Sequence, residues 1–316
     1  MKHYDVIIVG AGPAGMTAAL YTARRALKTL VISQDIGGQA ATTTTVENYP
    51  GFESIGGGEL SEKFRQHAEK AGAEFLVDEV QGVVRQPAGD FVVKTAGEEF
   101  LAEAVILAFG LSHRHLNVPG EGQLIGKGVV YCATCDGPLY KHKRIAVVGG
   151  GNSAVEAATY MSKIAERVYV VHRQSTFSAE EYLVNQLSKL PNVELVLNSV
   201  VREIRGQERV TSVLVSGVHE PEKTKEIAID GVFVEIGLIV KADFIRGLVS
   251  LNEKNEIKIS PDCETSVPGI FAAGDVTTVT YKQIIISAGE GCKAALQAYL
   301  YIQKKHGKTG VMIDWH

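Results

Sequence analysis

The chain is poor in several features that would assign it quickly to a class. Its 316 residues include one tryptophan and four cysteines. No run of about eighteen apolar residues occurs, and the apolar stretch from Tyr4 to Val9 opens directly into Gly10-Ala11-Gly12-Pro13. Neither a membrane span nor a secretory leader is expected, and a cytoplasmic location follows as the default. Charge of one sign is equally scarce, because 32 Lys and Arg stand against 36 Asp and Glu with the signs interspersed. No basic stripe points to nucleic acid, and no low-complexity tract points to a disordered tail. Four cysteines over this length are too sparse for a secreted disulfide scaffold.

Glycine, by contrast, is plentiful at 33 residues, and 45% of the chain is apolar, enough for two packed cores. The pattern predicts a strand over Asp5 to Val9, a turn Gly10-Ala11-Gly12-Pro13-Ala14-Gly15, a helix from Met16 to Ala26 and a strand over Thr29 to Ser33. A side chain at Gly10 would block the tight turn, one at Gly12 would obstruct a pyrophosphate, and one at Gly15 would separate helix from strand. Phosphate then sits on the helix N-terminus. The acid usual at the end of the second strand is replaced by Ser33.

The unit recurs. Arg144 to Val148 reads as a strand, followed by Gly149-Gly150-Gly151-Asn152-Ser153-Ala154, a helix to about Ile164 and a strand from Arg167 to His172. Two dinucleotide folds in one chain suggest electron transfer between two redox carriers. A third marker is the strand-like Val267-Pro268-Gly269-Ile270-Phe271-Ala272-Ala273 ending in Gly274-Asp275, ahead of an apolar-periodic helix from about Gln283 to Lys304. Asp275 is placed either to bond a hydroxylated ligand or to serve as an ordinary cap or Asx turn.

Cys132 and Cys135 are spaced as a redox pair or as half a zinc site. Cys263 and Cys292 are far from each other, and no paired histidines accompany them, so no metal site is expected. Both read as structural.

These residues resemble the low-molecular-weight thioredoxin reductases along nearly the whole chain. The motifs Gly10 to Gly15, Gly37-Gly38-Gln39, Glu47-Asn48-Tyr49-Pro50-Gly51, Cys132-Ala133-Thr134-Cys135-Asp136-Gly137 and Ala273-Gly274-Asp275 stand in that family's order. The resemblance implies an α/β fold of two Rossmann-like, three-layer ββα domains, the second inserted into the first. Residues 1–112 and 244–316 would form a discontinuous FAD-binding domain, and 113–243 an NAD(P)-binding-like domain carrying the cysteine pair. Segments 112–116 and 242–245 would act as hinges. FAD would lie against Gly10, Gly12, Pro13, Ala14 and Gly15, with Gly38, Gln39, Asn48, Ala108, Gly110, Gly274, Asp275, Lys282 and Gln283 around it. The helix after Gln283 would favour negative charge on reduced flavin. Cys132 would attack the partner, a thioredoxin-like protein. Cys135 would face the flavin, and Asp136 would protonate the departing thiolate unless it is only a helix cap. A homodimer is also implied.

Three departures qualify the resemblance. NADPH-dependent members carry an HRRxxxR-type motif where this chain reads His172-Arg173-Gln174-Ser175-Thr176-Phe177-Ser178. Two arginines of three are missing. Each charge-assisted bond contributes roughly 1.5 to 3 kcal/mol, so NADPH binding would weaken by about 10² to 10⁴-fold. An acid for NADH is missing too, because His172 stands there. A residual nucleotide site would comprise Gly149, Gly151, Asn152, Ser153, Ala154, His172 and Arg173. Second, Phe109 replaces a threonine and reads as core packing. Third, the chain ends in Val311-Met312-Ile313-Asp314-Trp315-His316, a tail that would either dock on the partner subunit of a dimer and set Trp315 or His316 near the isoalloxazine, or be disordered or packed locally.

The electron donor is therefore NADPH held weakly, or a low-potential carrier such as ferredoxin. A drop from near −400 mV to near −270 mV provides roughly 6 kcal/mol for two electrons. Ferredoxin-NADP reductases share the architecture but lack the cysteine pair, and a flavin redox sensor without turnover would also explain the missing arginines.

Overall fold

Each glycine turn joins a buried strand to a helix, and one sheet grows around each. The computed structural model describes residues 1–43 and 45–308, the side chain of Cys135 excepted. The tail with Trp315 and His316 lies outside the described residues. One unit comprises Met1–Ser112 with the chain from Ile239 onward, and the other comprises His113–Leu238.

In the first unit the strand Lys2–Val9 lies between Thr29–Ser33 and Glu99–Leu107, parallel to both. Val6, Ile7 and Ile8 are fully buried, which is why this segment reads as a continuous apolar run rather than an alternating one. Burial contributes about 1.5 to 3 kcal/mol for each such side chain. Glu74–Val77 extends one edge. The long strand Glu99–Leu107 is shared: its first half pairs antiparallel with Phe91–Thr95, and its second half pairs parallel with Ile270–Ala272. A parallel sheet and an antiparallel meander therefore meet in one strand.

The helices Pro13–Arg24 and Ile284–Lys305 share one core cluster, where Ala14, Ala18 and Ala19 meet Ala294, Ala295 and Ala298. The first helix begins three residues earlier than the periodicity suggests, because Pro13 with its fixed φ suits the first helical position.

The second unit repeats the plan. Its parallel sheet runs, in spatial order, Val193–Val196, Arg167–Val171, Arg144–Val148, Gly231–Val234 and Val129–Val130. The helix Asn152–Ser162 follows the second glycine turn. A three-stranded antiparallel meander, Ser199–Gly206, Val210–Gly217 and Glu220–Ala228, completes it. The expected α/β class, with two Rossmann-like units and one inserted in the other, is what the chain adopts. Among the described residues no helix is long and apolar enough to cross a membrane.

The helix pair in the first unit is close enough to be tested. A Cβ added at Gly291 would lie 2.1 Å from the carbonyl oxygen of Ala14. Gly291→Ala is therefore expected to destabilise the protein by about 1 to 3 kcal/mol, although alanine is the better helix former. Thermal unfolding of the variant beside the parent checks this.

Candidate functional site

A cavity of about 900 Å³ opens at the carboxyl ends of the first unit's parallel strands, the usual place for a ligand in such sheets. All of the residues expected around a flavin line it except Gly15. Gly15 serves the scaffold instead, since its Cβ would fall 1.9 Å from the carbonyl oxygen of Gly10. Gly12 is the opposite case: no protein atom lies within 4 Å of its virtual Cβ. The space in front of it is open to a ligand.

Asp275 sits on a clamped loop. Gly274 donates its N–H to Glu290 Oε2 at 2.7 Å, and Thr277 donates its hydroxyl to the Gly274 carbonyl at 2.9 Å. Lys282 Nζ donates to the carbonyls of Asp275 and Thr277 at 3.0 and 2.7 Å, and pairs with Glu256 at 3.2 Å. Lys282 thus straps the loop as well as lining the cavity. Burial pushes the Asp275 carboxyl above its ordinary range, and Ser287 donates a hydroxyl to it at 3.2 Å. Such a group gains from a further hydroxyl donor. Asn48 donates to Gln283 Oε1 at 3.1 Å, joining two distant segments at the rim.

Lys241, Phe244, Asp78 and Asp35 also line the cavity, and none follows from the sequence motifs. Asp35 accepts the Gly38 N–H at 3.1 Å, so an acid is present two residues beyond Ser33. Phe109 packs edge-on against Phe244 at 4.9 Å, the core role expected of it, while its ring also borders the cavity.

In the second unit, Cys132 lies just before the short helix Ala133–Asp136 and is engaged in a disulfide. The Cys135 thiol lies outside the described atoms. Asp136 makes no side-chain capping bond to the 3₁₀ turn Gly137–Tyr140 that follows. The preceding residue, Tyr131, is held by a buried carboxylate: Glu121 accepts its hydroxyl at 2.8 Å and the N–H groups of Leu116 and Asn117 at 2.8 and 2.6 Å. His115 Nδ1 lies 2.7 Å from the same hydroxyl. Cys263 is buried outside any disulfide, its thiol pushed up to about 12 by desolvation. No metal-binding cluster occurs among the described residues.

A second cavity, of about 500 Å³, opens at the second glycine turn and includes Gly149, Gly151, Ser153, His172 and Arg173. Asn152 and Ala154 are not on its wall. Asn152 instead pairs with Glu180 through both its amide oxygen and nitrogen, and Ala154 is buried beneath Gly149. His172 is buried, its ring stacked on Phe177 at 5.3 Å and its Nε2 3.1 Å from the Thr176 carbonyl. A Cβ at Gly150 would strike that ring at 2.0 Å. Arg114 lines the same cavity, a cation that the linear motif does not reveal.

Residues 4–291 match the family model described as pyridine nucleotide-disulphide oxidoreductase. Thioredoxin reductase of Listeria innocua is 43% identical over 96% of this chain and 95% of its own. The chain belongs to the pyridine nucleotide-disulphide oxidoreductase family. Its solved relatives include Lactococcus lactis thioredoxin reductase, 38% identical with a TM-score of 0.81 over 95% of this chain and 99% of that one. A ferredoxin-flavin thioredoxin reductase from Clostridium acetobutylicum is 31% identical, with a TM-score of 0.55 over 98% and 100% of the two chains. Within the family the chain is a flavoprotein of thioredoxin reductase type.

The first cavity fits the FAD that this family carries. Its volume suits a large ligand, the helix Pro13–Arg24 begins at its wall, and Gly12 leaves the space a pyrophosphate needs. Gly12→Ser tests this fit with little folding penalty, because serine suits the N-cap that Gly12 occupies and a Cβ there meets no protein atom within 4 Å. The variant is expected to keep the parent's apoprotein circular dichroism, with a melting temperature within a few degrees, but to purify with less flavin absorbance.

Proposed function

We propose that this protein reduces a thioredoxin-type protein disulfide through Cys132 and Cys135, using FAD held in the first unit. One observation carries the reading: a flavin-sized cavity behind an open glycine turn and a Cys-x-x-Cys segment with Cys132 in a disulfide occur in one chain. Its thioredoxin reductase relatives point the same way. Bound FAD supplies a two-electron carrier for the disulfide. Once reduced, Cys132 as thiolate attacks a sulfur of the partner's disulfide, forming a mixed disulfide and releasing one partner thiolate. Cys135 then attacks Cys132, restoring the internal disulfide and releasing the second partner sulfur, to which Asp136 supplies a proton.

The finer question is the donor. Around the second cavity, Arg114 and Arg173 are the arginines, whereas Gln174 and Ser178 stand where NADPH-dependent relatives carry two more. Ser178 donates both its N–H and its hydroxyl to Gly150, and His172 is occupied by Phe177 and Thr176. The 2′-phosphate of NADPH is therefore weakly held, and NADPH is a poor donor. A second reading, a ferredoxin-type donor, is favoured by the likeness to the ferredoxin-flavin thioredoxin reductase.

Anaerobic stopped-flow absorbance with NADPH, NADH and photoreduced ferredoxin, followed by a thioredoxin, separates these readings. Slow flavin bleaching by NADPH and fast bleaching by ferredoxin are expected. Fast bleaching by NADPH would overturn the weak-donor reading, and failure to reduce any thioredoxin after dithionite treatment would overturn the reductase reading. Gln174→Arg is expected to lower KM for NADPH by about 10 to 10²-fold and to leave that for NADH unchanged, as one charge-assisted bond to the 2′-phosphate requires.

A further inference from the structure

The segment that carries Cys132 is pinned on both sides of it. Upstream, the Tyr131 hydroxyl lies 2.8 Å from Glu121 Oε1 and 2.7 Å from His115 Nδ1. Downstream, Asp136 donates its backbone N–H to the Cys132 carbonyl at 3.3 Å. One side chain reaches the sulfur itself: Thr134 Oγ1 lies 3.3 Å from Cys132 Sγ, in hydrogen-bonding geometry. A disulfide sulfur carries no proton, so with Cys132 in a disulfide the Thr134 hydroxyl is the donor. Thr134 is exposed on the short helix Ala133–Asp136, and threonine is a mediocre helix former. Neither burial nor helix stability accounts for a threonine there, whereas the contact with sulfur does.

We propose that Thr134 is a further catalytic residue, its hydroxyl donating to Cys132 Sγ and favouring the thiolate with which that sulfur attacks. The inference rests on the reading of Cys132 as the attacking cysteine. A neutral disulfide sulfur is a weak acceptor, but a hydrogen bond to an ionised partner is roughly twice as strong as one between neutral groups. The contact therefore strengthens once the internal disulfide is reduced and Cys132 carries charge, and it favours that charged form. In the attack, the Cys132 thiolate bonds to one sulfur of the partner's disulfide as the partner's S–S bond breaks. The other partner sulfur leaves as a thiolate and takes a proton. Cys132 is oxidised and the leaving sulfur reduced, so the exchange needs no other oxidant or reductant.

The donor has two opposed effects. It raises the fraction of thiolate near neutral pH, and it lowers the nucleophilicity of each thiolate. Nucleophilicity falls by only about 0.4 to 0.5 of a power of ten for each unit of acidity gained, so the population effect wins wherever the thiol is mostly protonated. Water competes for a sulfur beside an exposed hydroxyl, which holds the expected gain to about one unit. Cys135 and Asp136 share the short helix, Tyr131, His115 and Glu121 form the upstream anchor, and Tyr160 reaches Gly137 from the helix Asn152–Ser162. These groups titrate together with Cys132. All are kept in a Thr134 variant, so the difference between two profiles reports the hydroxyl.

The test is the rate of iodoacetamide alkylation of Cys132 against pH in the chemically reduced, flavin-loaded protein, with fragment-ion mass spectrometry assigning the site. Thr134→Val keeps the β-branched shape and removes the hydroxyl. Its midpoint is expected about one unit above the parent's, with a rate about threefold lower near neutral pH and a plateau about threefold higher at alkaline pH. Crossed profiles of this kind mark a lost donor, since a loosened segment would expose the thiol at every pH. Thr134→Ala is expected to match Thr134→Val, and Thr134→Ser to return the midpoint towards the parent's. Superposed profiles for parent and Thr134→Val, or a serine variant displaced as far as the valine one, would overturn the proposal and leave the reductase reading standing. Alkylation confined to Cys135 would overturn the reading of Cys132 itself and the proposal with it.

Discussion

Backbone meeting backbone, with no side chain between, is the contact on which both units are built. At Gly15 a Cβ would lie 1.9 Å from the Gly10 carbonyl, at Gly291 it would lie 2.1 Å from that of Ala14, and at Gly149 it would lie 2.1 Å from that of Glu235. These contacts draw a helix N-terminus to the end of a buried parallel strand. The unpaired N–H groups of the first turn then face the crevice where the strands stop, and an anion is the ligand they suit. Alanine at any of these positions would open the packing and move the donors.

Polar side chains do the finer placement. Glu290, on the long helix, fixes the Gly274 N–H, and Lys282 gathers two carbonyls of the same loop, so Asp275 is presented on a short segment with little freedom. Glu121 performs the corresponding task before Cys132, accepting two peptide N–H groups and the Tyr131 hydroxyl while buried. Glu121 is satisfied by three donors, which offsets the cost of taking its charge out of water. Asp275 and Cys132 thus sit on segments anchored from the core.

The strands Lys2–Val9, Thr29–Ser33, Arg144–Val148, Arg167–Val171 and Ile270–Ala272, the helices after the two glycine turns, the helix Ile284–Lys305 and part of the first cavity's wall were legible in the sequence, because strand burial, glycine spacing and the Ala273-Gly274-Asp275 signal are local patterns. Glu99–Leu107, the antiparallel strands and the helix Gly57–Lys70 carry no such motif and were not. Helix ends shifted by one to three residues, where Pro13 and the tightness of the turns decide what periodicity does not. Lys241, Phe244, Asp78 and Arg114 were not legible. Each reaches a cavity from a segment with no motif of its own, and only folding brings it there. Asn152 and Ala154 mislead in the other direction: both belong to the turn motif, yet one is taken by Glu180 and the other lies beneath Gly149.

The two turns also show that one glycine pattern carries two physical meanings. Gly12 is bare because something outside the chain must come close, for no protein atom approaches its Cβ. Gly150 is bare because the chain itself comes close, with the His172 ring 2.0 Å from where a Cβ would stand. At the second turn a ring from the adjoining strand end thus takes up room beside the glycines, stacked on Phe177 and tied to Thr176. Phosphate binding needs the open kind of glycine, which Gly151 still provides, its Cβ being 4.0 Å from Ser178 Oγ. Discrimination at the adenosine ribose needs charged side chains at the strand end, and there the imidazole is spent on packing. The openness of the turn at Gly151 and the packing of the strand end by His172 are therefore set by different residues of this unit.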